Sequence, residues 1–200
     1  YERDMSAAAH TNNERAADAR ALDRSVVLVG LMGAGKSCIG RRLAQRLGVN
    51  FVDADAEIED AAGCSIAEIF EKYGEEYFRD GERRVMARLL SEAPGILAAG
   101  GGAFMNSETR EMIRNKAVSI WLRADLETLH ARTKGRTQPP LLNTGDARAT
   151  LQTLIDERYP VYAEADLTID TGIDGPTMTC RRVLEALEQH MGAPLTASDP

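Results

Sequence analysis

The sequence predicts a three-layer α/β/α fold in which a five-stranded parallel sheet lies between helices. Two observations predict it. Short apolar, β-branched runs typical of buried strands alternate with segments in which apolar residues recur every three or four positions. This alternation indicates a parallel sheet, because a strand reaches a parallel neighbour through a helical crossover.

The first strand and the first helix flank a glycine-rich loop. Ser25-Val-Val-Leu-Val29 is a continuous apolar run, as expected of a strand that is buried on both faces. The turn Gly30 to Gly35 follows, and apolar residues then recur every four positions from Ile39 until Gly48 ends the helix.

The second strand leads into a helical insertion. The short run Phe51-Val52 ends in Asp53-Ala-Asp55. Ser65-Ile-Ala-Glu68 is a capping box that predicts a helix as far as Tyr73, and a second helix is predicted from about Glu75 to Ser91. Because no strand separates these helices, they form an insertion in the alternating pattern.

The rest of the chain resumes the alternation around a proline-rich loop. No helix can cross Gly135-Arg-Thr-Gln-Pro-Pro140, since proline lacks the N–H that a helix needs. Further strands are predicted at Ile96–Ala99, Ala117–Leu122 and Leu167–Ile169. Further helices are predicted at Ser107–Lys116, after the N-cap Asp125, at about Ala147–Tyr159 and from Pro176.

Composition limits the expected partners and the compartment. The chain has 24 Lys and Arg against 31 Asp and Glu, a net charge of −7, and no long basic cluster, so nucleic-acid binding is not expected. Three widely spaced cysteines match neither a zinc site nor a disulfide framework, and no apolar stretch approaches the roughly 18 residues of a membrane span. We expect a cytoplasmic monomer that does not bind membranes.

The folded region is predicted as one domain. Residues 1–24 form a polar, Ala-rich extension without the apolar centre of a secretory signal, and residues 191–200 form a tail. The domain therefore covers 25–190, with the insertion at about 54–92.

The glycine-rich loop predicts a nucleotide site. Gly30-Leu-Met-Gly-Ala-Gly-Lys36-Ser37 fits the pattern G-x-x-x-x-G-K-[ST] in full. Glycines let backbone N–H groups cradle phosphates, Lys36 can reach the β- and γ-phosphates, and the Ser37 hydroxyl can bind Mg²⁺. A dinucleotide fingerprint is excluded, because Cys38 stands where that pattern requires glycine.

Two aspartates follow the second strand at the sheet edge where α/β proteins bind ligands. If Asp53 and Asp55 belong to a pleated strand, both face the same way, and Mg²⁺ and an acceptor hydroxyl could account for them. The alternative is a helix N-cap beside a solvated acid.

Further candidates for the acceptor site are two arginines and a glycine run. Arg79 has Glu82 three residues later, so an ordinary helical ion pair remains an alternative, and Arg158 is equally ambiguous by itself. Gly100-Gly-Gly102 follows an apolar strand and indicates a ligand pressed against bare backbone.

Taken together, these residues resemble the shikimate kinase family over Ser25 to about Glu188. The shared motifs are the phosphate-binding loop, Asp53-x-Asp55, Ser65-Ile-Ala-Glu-Ile-Phe70, Gly74-Glu-x-x-Phe-Arg79, Gly100-Gly-Gly102, Pro-Leu-Leu142 and Arg158-x-Pro-x-Tyr162.

The resemblance implies a nucleoside-monophosphate-kinase-like P-loop fold with a substrate-binding insertion and a lid at about 133–146. It implies transfer of the γ-phosphoryl group of ATP to shikimate. The implied ATP contacts are Gly33, Ala34, Gly35, Lys36, Ser37, Cys38, Arg132, Arg136 and Pro176. The implied shikimate contacts are Asp55, Arg79, Gly100, Gly101, Gly102 and Arg158, with Lys36, Asp55 and Arg136 catalytic and Mg²⁺ held by Ser37 and, through water, Asp53.

One departure from the family concerns the lid. The family usually has Arg-Pro-Leu-Leu there, whereas this chain has Pro139-Pro140-Leu-Leu. The nearest cation is Arg136, which we expect to replace the missing arginine at the transferring phosphoryl group.

Two alternative functions remain open from the sequence. One is a gluconate-type kinase, which would accept neutral or open-chain polyols and would not need both arginines. The other is a non-catalytic nucleotide-binding regulator, which the missing lid arginine favours and which would bind ATP without turnover.

The expected role of Arg136 is testable by substitution. Arg136→Ala should lower kcat sharply and change shikimate binding little, because the side chain would act on the phosphoryl group and not on the acid. Steady-state kinetics checks this, and unchanged turnover would reject the role.

Overall fold

Five parallel strands form the centre of the molecule. The structure, a computed structural model, describes residues 21–134, 146–172 and 174–195. The strands are β1 (Ser25–Val29), β2 (Phe51–Asp53), β3 (Ile96–Ala98), β4 (Ala117–Arg123) and β5 (Leu167–Asp170). They lie in the order β2-β3-β1-β4-β5, and Val26 of β1 stands in register between Ile96 and Val118. The predicted five-stranded parallel sheet is confirmed.

Helices connect the strands and cover the sheet. They are α1 (Lys36–Leu47), α2 (Ala54–Ala62), α3 (Ile66–Leu89), α4 (Ser107–Lys116), α5 (Leu126–Thr133), α6 (Ala147–Tyr162) and α7 (Pro176–Met191), with a 3₁₀ turn at Ala103–Met105. Within the described ranges, no helix is both long enough and apolar enough to cross a membrane.

The order of the strands determines where the functional loops meet. The phosphate-binding loop follows β1, the aspartates follow β2 and the glycine run follows β3. Because β2, β3 and β1 are parallel neighbours, these three segments lie together at the carboxyl edge of the sheet.

The insertion between β2 and β3 has one more helix than expected. β2 ends at Asp53, whose carboxylate caps α2 by accepting the backbone N–H of Asp55 at 3.2 Å. The interpretation of Asp53 and Asp55 as two residues on one face of a strand is therefore wrong. Carboxylates are favoured in the first turn of a helix, because they satisfy its unpaired N–H groups.

The long helix α3 contains the two predicted helices. The capping box at Ser65 and Glu68 is present, and Gly74 at φ 81° and ψ 176° breaks the helical backbone between them. Ile58, Ile69 and Phe78 form a small apolar cluster that joins α2 to both parts of α3.

The structure extends several predicted boundaries. α6 continues beyond Tyr159 to Tyr162, with Pro160 in its last turn. This turn persists because Tyr162 is completely buried, whereas Pro160 is exposed. Leu22 and Leu195 also pack into the main core, so the packed region reaches beyond 25–190 at both ends.

Replacing each of two glycines of α3 by alanine should change the free energy of unfolding in opposite directions. A Cβ at Gly81 would meet no atom within 4 Å, so Gly81→Ala should raise the free energy of unfolding by about 0.5–1 kcal/mol. Gly74 also has open space but a positive φ, so Gly74→Ala should lower it by about 1–3 kcal/mol. Urea unfolding of both variants checks this, and changes of the same sign would contradict it.

Candidate active site

The phosphate-binding loop is shaped by three glycines with positive φ. Gly30, Gly33 and Gly35 have φ of 143°, 81° and 101°, which residues with side chains rarely adopt. The loop closes directly onto the N-terminus of α1, where Lys36 is the first helical residue. The backbone thus presents a helix N-terminus to an incoming anion.

The ammonium group of Lys36 is held inside this loop. Its Nζ donates to the carbonyl oxygens of Gly30 at 2.7 Å and Leu31 at 3.2 Å. Burial lowers the pKa of Lys36, and the nearby carboxylates of Asp55 and Asp53 oppose this shift. A phosphate bound in the loop would further compensate the positive charge of this ammonium group.

A cavity of about 640 Å³ opens in front of the loop. Of the predicted ATP contacts, those in the described residues all line it: Gly33, Ala34, Gly35, Lys36, Ser37, Cys38, Arg132 and Pro176. Arg136 lies outside the described residues, as do positions 135–145 of the lid predicted at about 133–146, so both roles stay predictions.

The far wall of the cavity is tied to the loop by hydrogen bonds. Arg132 of α5 donates to the Gly33 carbonyl at 3.3 Å and to the Thr171 hydroxyl at 3.4 Å. The buried Thr171, just after β5, donates in turn to the Ala34 carbonyl at 3.2 Å. The sequence does not predict Thr171, because only the fold brings the end of β5 to the loop.

The metal candidates Ser37 and Asp53 lie in direct contact. The Ser37 hydroxyl donates to Oδ2 of Asp53 at 2.7 Å, while Oδ1 caps α2. Both line the cavity, although no cluster of three or more His, Cys, Asp or Glu suited to a metal occurs in the described ranges. A hydroxyl and one carboxylate fit Mg²⁺ that arrives with a nucleotide, since Mg²⁺ commonly takes its other ligands from phosphates and water.

Asp55 lies where the cavity meets the acceptor side. Burial raises the pKa of its carboxyl, against the opposing effect of Lys36. The carboxyl lies close to the glycine run. If Gly100 carried a Cβ atom, that atom would lie 2.5 Å from Oδ1 of Asp55 and 2.8 Å from Oε1 of Glu82.

All three glycines after β3 are in close contact with charged side chains. A Cβ at Gly101 would lie 3.2 Å from Nη1 of Arg158, and one at Gly102 would overlap the Arg79 guanidinium. Glycines are therefore required here to accommodate the protein's own side chains, and they bring Asp55, Arg79 and Arg158 around one segment, while a ligand against this backbone stays a prediction.

Arg79 is oriented by two carboxylates of its own helix. It donates to Glu82 at 2.8 Å and to Glu75 at 3.2 Å. Glu82 is only 3% exposed, whereas the Glu75 side chain is 68% exposed. The ion pair that the sequence offers as an alternative thus exists, and the same guanidinium also faces Gly102.

Arg158 lacks such a carboxylate. It is only 9% exposed, and its Nη1 donates to the Gly101 carbonyl at 2.8 Å. In the described part of the chain, no Asp or Glu forms an ion pair with it. Tyr162 donates to the same carbonyl, a contact that the sequence signals only by its spacing of four residues from Arg158.

The site therefore has two halves. A phosphate-binding loop with a cavity lies on one side, and a buried cation beside bare glycine backbone lies on the other, with Asp55 between them. This arrangement can hold a nucleotide and an anionic second substrate next to each other.

Comparison with known proteins gives a consistent result. A family model described as shikimate kinase matches residues 32–188. A shikimate kinase of Paramagnetospirillum magneticum is 55% identical over 166 residues, 83% of this chain and 85% of the relative. One of Rhodopseudomonas palustris is 58% identical over 147 residues, 74% of this chain and 72% of the relative.

A solved structure supports the same relationship. Shikimate kinase from Acinetobacter baumannii in complex with shikimate superposes with a TM-score of 0.80 at 36% identity. The match covers 83% of this chain and 93% of that chain.

Proposed function

This chain belongs to the shikimate kinase family, and from that premise we propose how its residues divide the reaction between ATP and shikimate. The protein is an ATP-dependent kinase that transfers the γ-phosphoryl group of ATP to the 3-hydroxyl of shikimate. Of the alternatives left open by the sequence, neither the gluconate-type kinase nor the non-catalytic regulator agrees with this membership.

The buried guanidinium of Arg158 is the observation that carries the assignment of the acid site. A buried cation without a carboxylate partner is unfavourable, and an anionic ligand would compensate it. Arg158 is 9% exposed, forms no ion pair with a carboxylate of the described residues and adjoins the glycine run. The shikimate carboxylate is the anion that completes this site.

Arg79 supplies the second guanidinium of the acid site. Glu82 holds one edge of its guanidinium from the protein interior, and the Glu75 contact lies at the surface. A planar guanidinium can bind a carboxylate through two parallel hydrogen bonds, so exchanging Glu75 for the substrate keeps Arg79 paired. Gly100, Gly101 and Gly102 let the acid approach the backbone.

Asp55 acts on the reacting hydroxyl. Its carboxylate accepts the proton of the 3-hydroxyl as that oxygen bonds to the γ-phosphorus and the bond from this phosphorus to the β–γ bridging oxygen breaks. Lys36 neutralises the phosphate charge after leaving the carbonyls of Gly30 and Leu31. Arg132 and Pro176 line the cavity and would contact the adenine.

Ser37, and Asp53 through water, would hold Mg²⁺ with the nucleotide. When bound, the ion would supply positive charge that offsets the negative charge of the nucleotide phosphates. Asp53 has a second function, because the same carboxylate caps α2 and so places Asp55.

The role of Arg158 predicts a selective kinetic defect. Arg158→Gln should lower kcat/KM for shikimate roughly 10- to 150-fold, since it loses charge-assisted hydrogen bonds of about 1.5–3 kcal/mol. The KM for ATP should stay within about twofold, because the side chain lies outside the nucleotide cavity.

Arg148 provides the matched control on the same helix. Its side chain is 55% exposed and pairs with Glu127 at the surface. Arg148→Gln should leave both KM values unchanged, and an Arg158 variant that behaves like it would remove Arg158 from the acid site.

The role of Asp55 predicts loss of activity without loss of stability. Asp55→Asn should abolish turnover while calorimetry still detects ATP binding, because the nucleotide half remains intact. Since burial raises the pKa of Asp55, its carboxyl favours folding at low pH and opposes folding once the pH exceeds that raised pKa. The thermal midpoint of Asp55→Asn at pH 7 should therefore equal or exceed that of the wild type.

The exposed Asp60 of α2 serves as the comparison. Asp60→Asn should keep full turnover. Residual turnover of Asp55→Asn near the wild-type rate would rule out the proton-accepting role.

A further inference from the structure

Two buried side chains of α6 donate hydrogen bonds to one carbonyl oxygen. Nη1 of Arg158 and the hydroxyl of Tyr162 both contact the oxygen of Gly101. The two residues are four apart, so they lie on one face of the helix. Tyr162 is 0% exposed. Within the described residues, Gly101 provides the hydrogen-bond acceptor of the Tyr162 hydroxyl.

The carbonyl oxygens of Gly100 and Gly102 accept the backbone N–H groups of Ala103 and Met105 at 3.1 and 3.0 Å, whereas the Gly101 oxygen is held by the two side chains of α6. Gly101 lies between two other glycines, and backbone without Cβ atoms can rotate through more conformations than any other. The peptide group is planar and trans, so the direction of the Gly101 carbonyl also sets the opposite direction of the Gly102 N–H. Whatever holds this carbonyl therefore orients the backbone that lines the acid site.

Sharing the carbonyl also restricts Arg158. A carbonyl oxygen has two lone pairs, and a guanidinium has five N–H donors. With the Tyr162 hydroxyl on one lone pair, Arg158 is confined to the other, and its remaining donors keep one orientation. Losing the hydroxyl would leave the carbonyl held by Arg158 alone and would let the guanidinium use either lone pair.

The aromatic ring of Tyr162 is firmly placed. It packs near Phe104, Trp121 and Tyr159, at ring-centroid distances of 6.4, 6.0 and 6.2 Å. Burial raises the pKa of the Tyr162 hydroxyl, so it remains a protonated donor at neutral pH.

We propose that Tyr162 is a positioning residue for the acid site, which holds the Gly101 peptide and the Arg158 guanidinium in the orientation that receives the substrate carboxylate. It acts through these two groups and does not touch the reacting atoms. The proposal rests on the assignment of Arg158 to the shikimate carboxylate.

Tyr159 offers a closely matched control. It lies on the same helix, contacts Trp121 at a centroid distance of 4.8 Å and donates its hydroxyl to the carbonyl of Ala124. Tyr159→Phe and Tyr162→Phe thus remove the same group from neighbouring positions, but only the second affects a carbonyl of the acid site.

The experiment compares these two variants with Arg158→Gln. Tyr162→Phe should raise the KM and the Kd for shikimate about 3- to 10-fold, the loss expected from one hydrogen bond, with kcat and the KM for ATP within about twofold. Tyr159→Phe should leave all four values unchanged. Shikimate affinity is measured by calorimetry at 10 °C, with the folded fraction checked by circular dichroism, so that a loss of thermal stability does not obscure binding.

A shikimate derivative without the carboxylate charge provides a second readout. With the methyl ester of shikimate, which lacks the negative charge, the ratio of the Tyr162→Phe to the wild-type Kd should fall toward one. Equal shikimate affinities of the two phenylalanine variants, or an undiminished ratio with the ester, would overturn the positioning role. If instead Arg158→Gln also binds shikimate normally, the assignment of the acid site itself fails.

Discussion

Charged side chains from four helices meet, buried or half-buried, at the carboxyl edge of β1, β2 and β3. Lys36, Asp55, Glu82 and Arg158 all lie within this group, and the last two are only 3% and 9% exposed. Buried charge is tolerated only when opposite charges or hydrogen bonds compensate it. Glu82 pairs directly with Arg79 and acts on Arg158 through its charge alone, and no carboxylate of the described residues forms an ion pair with Arg158.

The same environment connects catalysis with stability. Burial raises the pKa of Asp55 and lowers that of Lys36, so each ionised group is less favourable in the folded protein than in water. Both shifts decrease the stability of the ligand-free protein at neutral pH. In the proposed reaction, the entering phosphate and hydroxyl would replace the hydration that these two groups lose on folding.

The sequence alone determined the fold class and identified the phosphate-binding loop. Apolar periodicity predicts the parallel sheet, and the phosphate-binding loop can be recognised because its backbone conformation requires glycines at set positions. Local signals of this kind also predict the capping box at Ser65 and the break between the two parts of α3 at Gly74. All of these depend on residues close together in the chain, so the local sequence is sufficient.

Only the tertiary structure decided which residues share the site. Asp55 belongs to a helix because Asp53 caps it, and the spacing of the two aspartates does not distinguish a helix from a strand. Thr171 reaches the phosphate-binding loop and Tyr162 reaches Gly101 across more than fifty residues of chain, through the packing of β5 and α6. Arg79 has its partners Glu75 and Glu82 within four residues on its own helix, whereas the burial of Arg158 depends on the packing of α6 against the glycine run. Burial results from the packing of distant segments, so no local pattern encodes it.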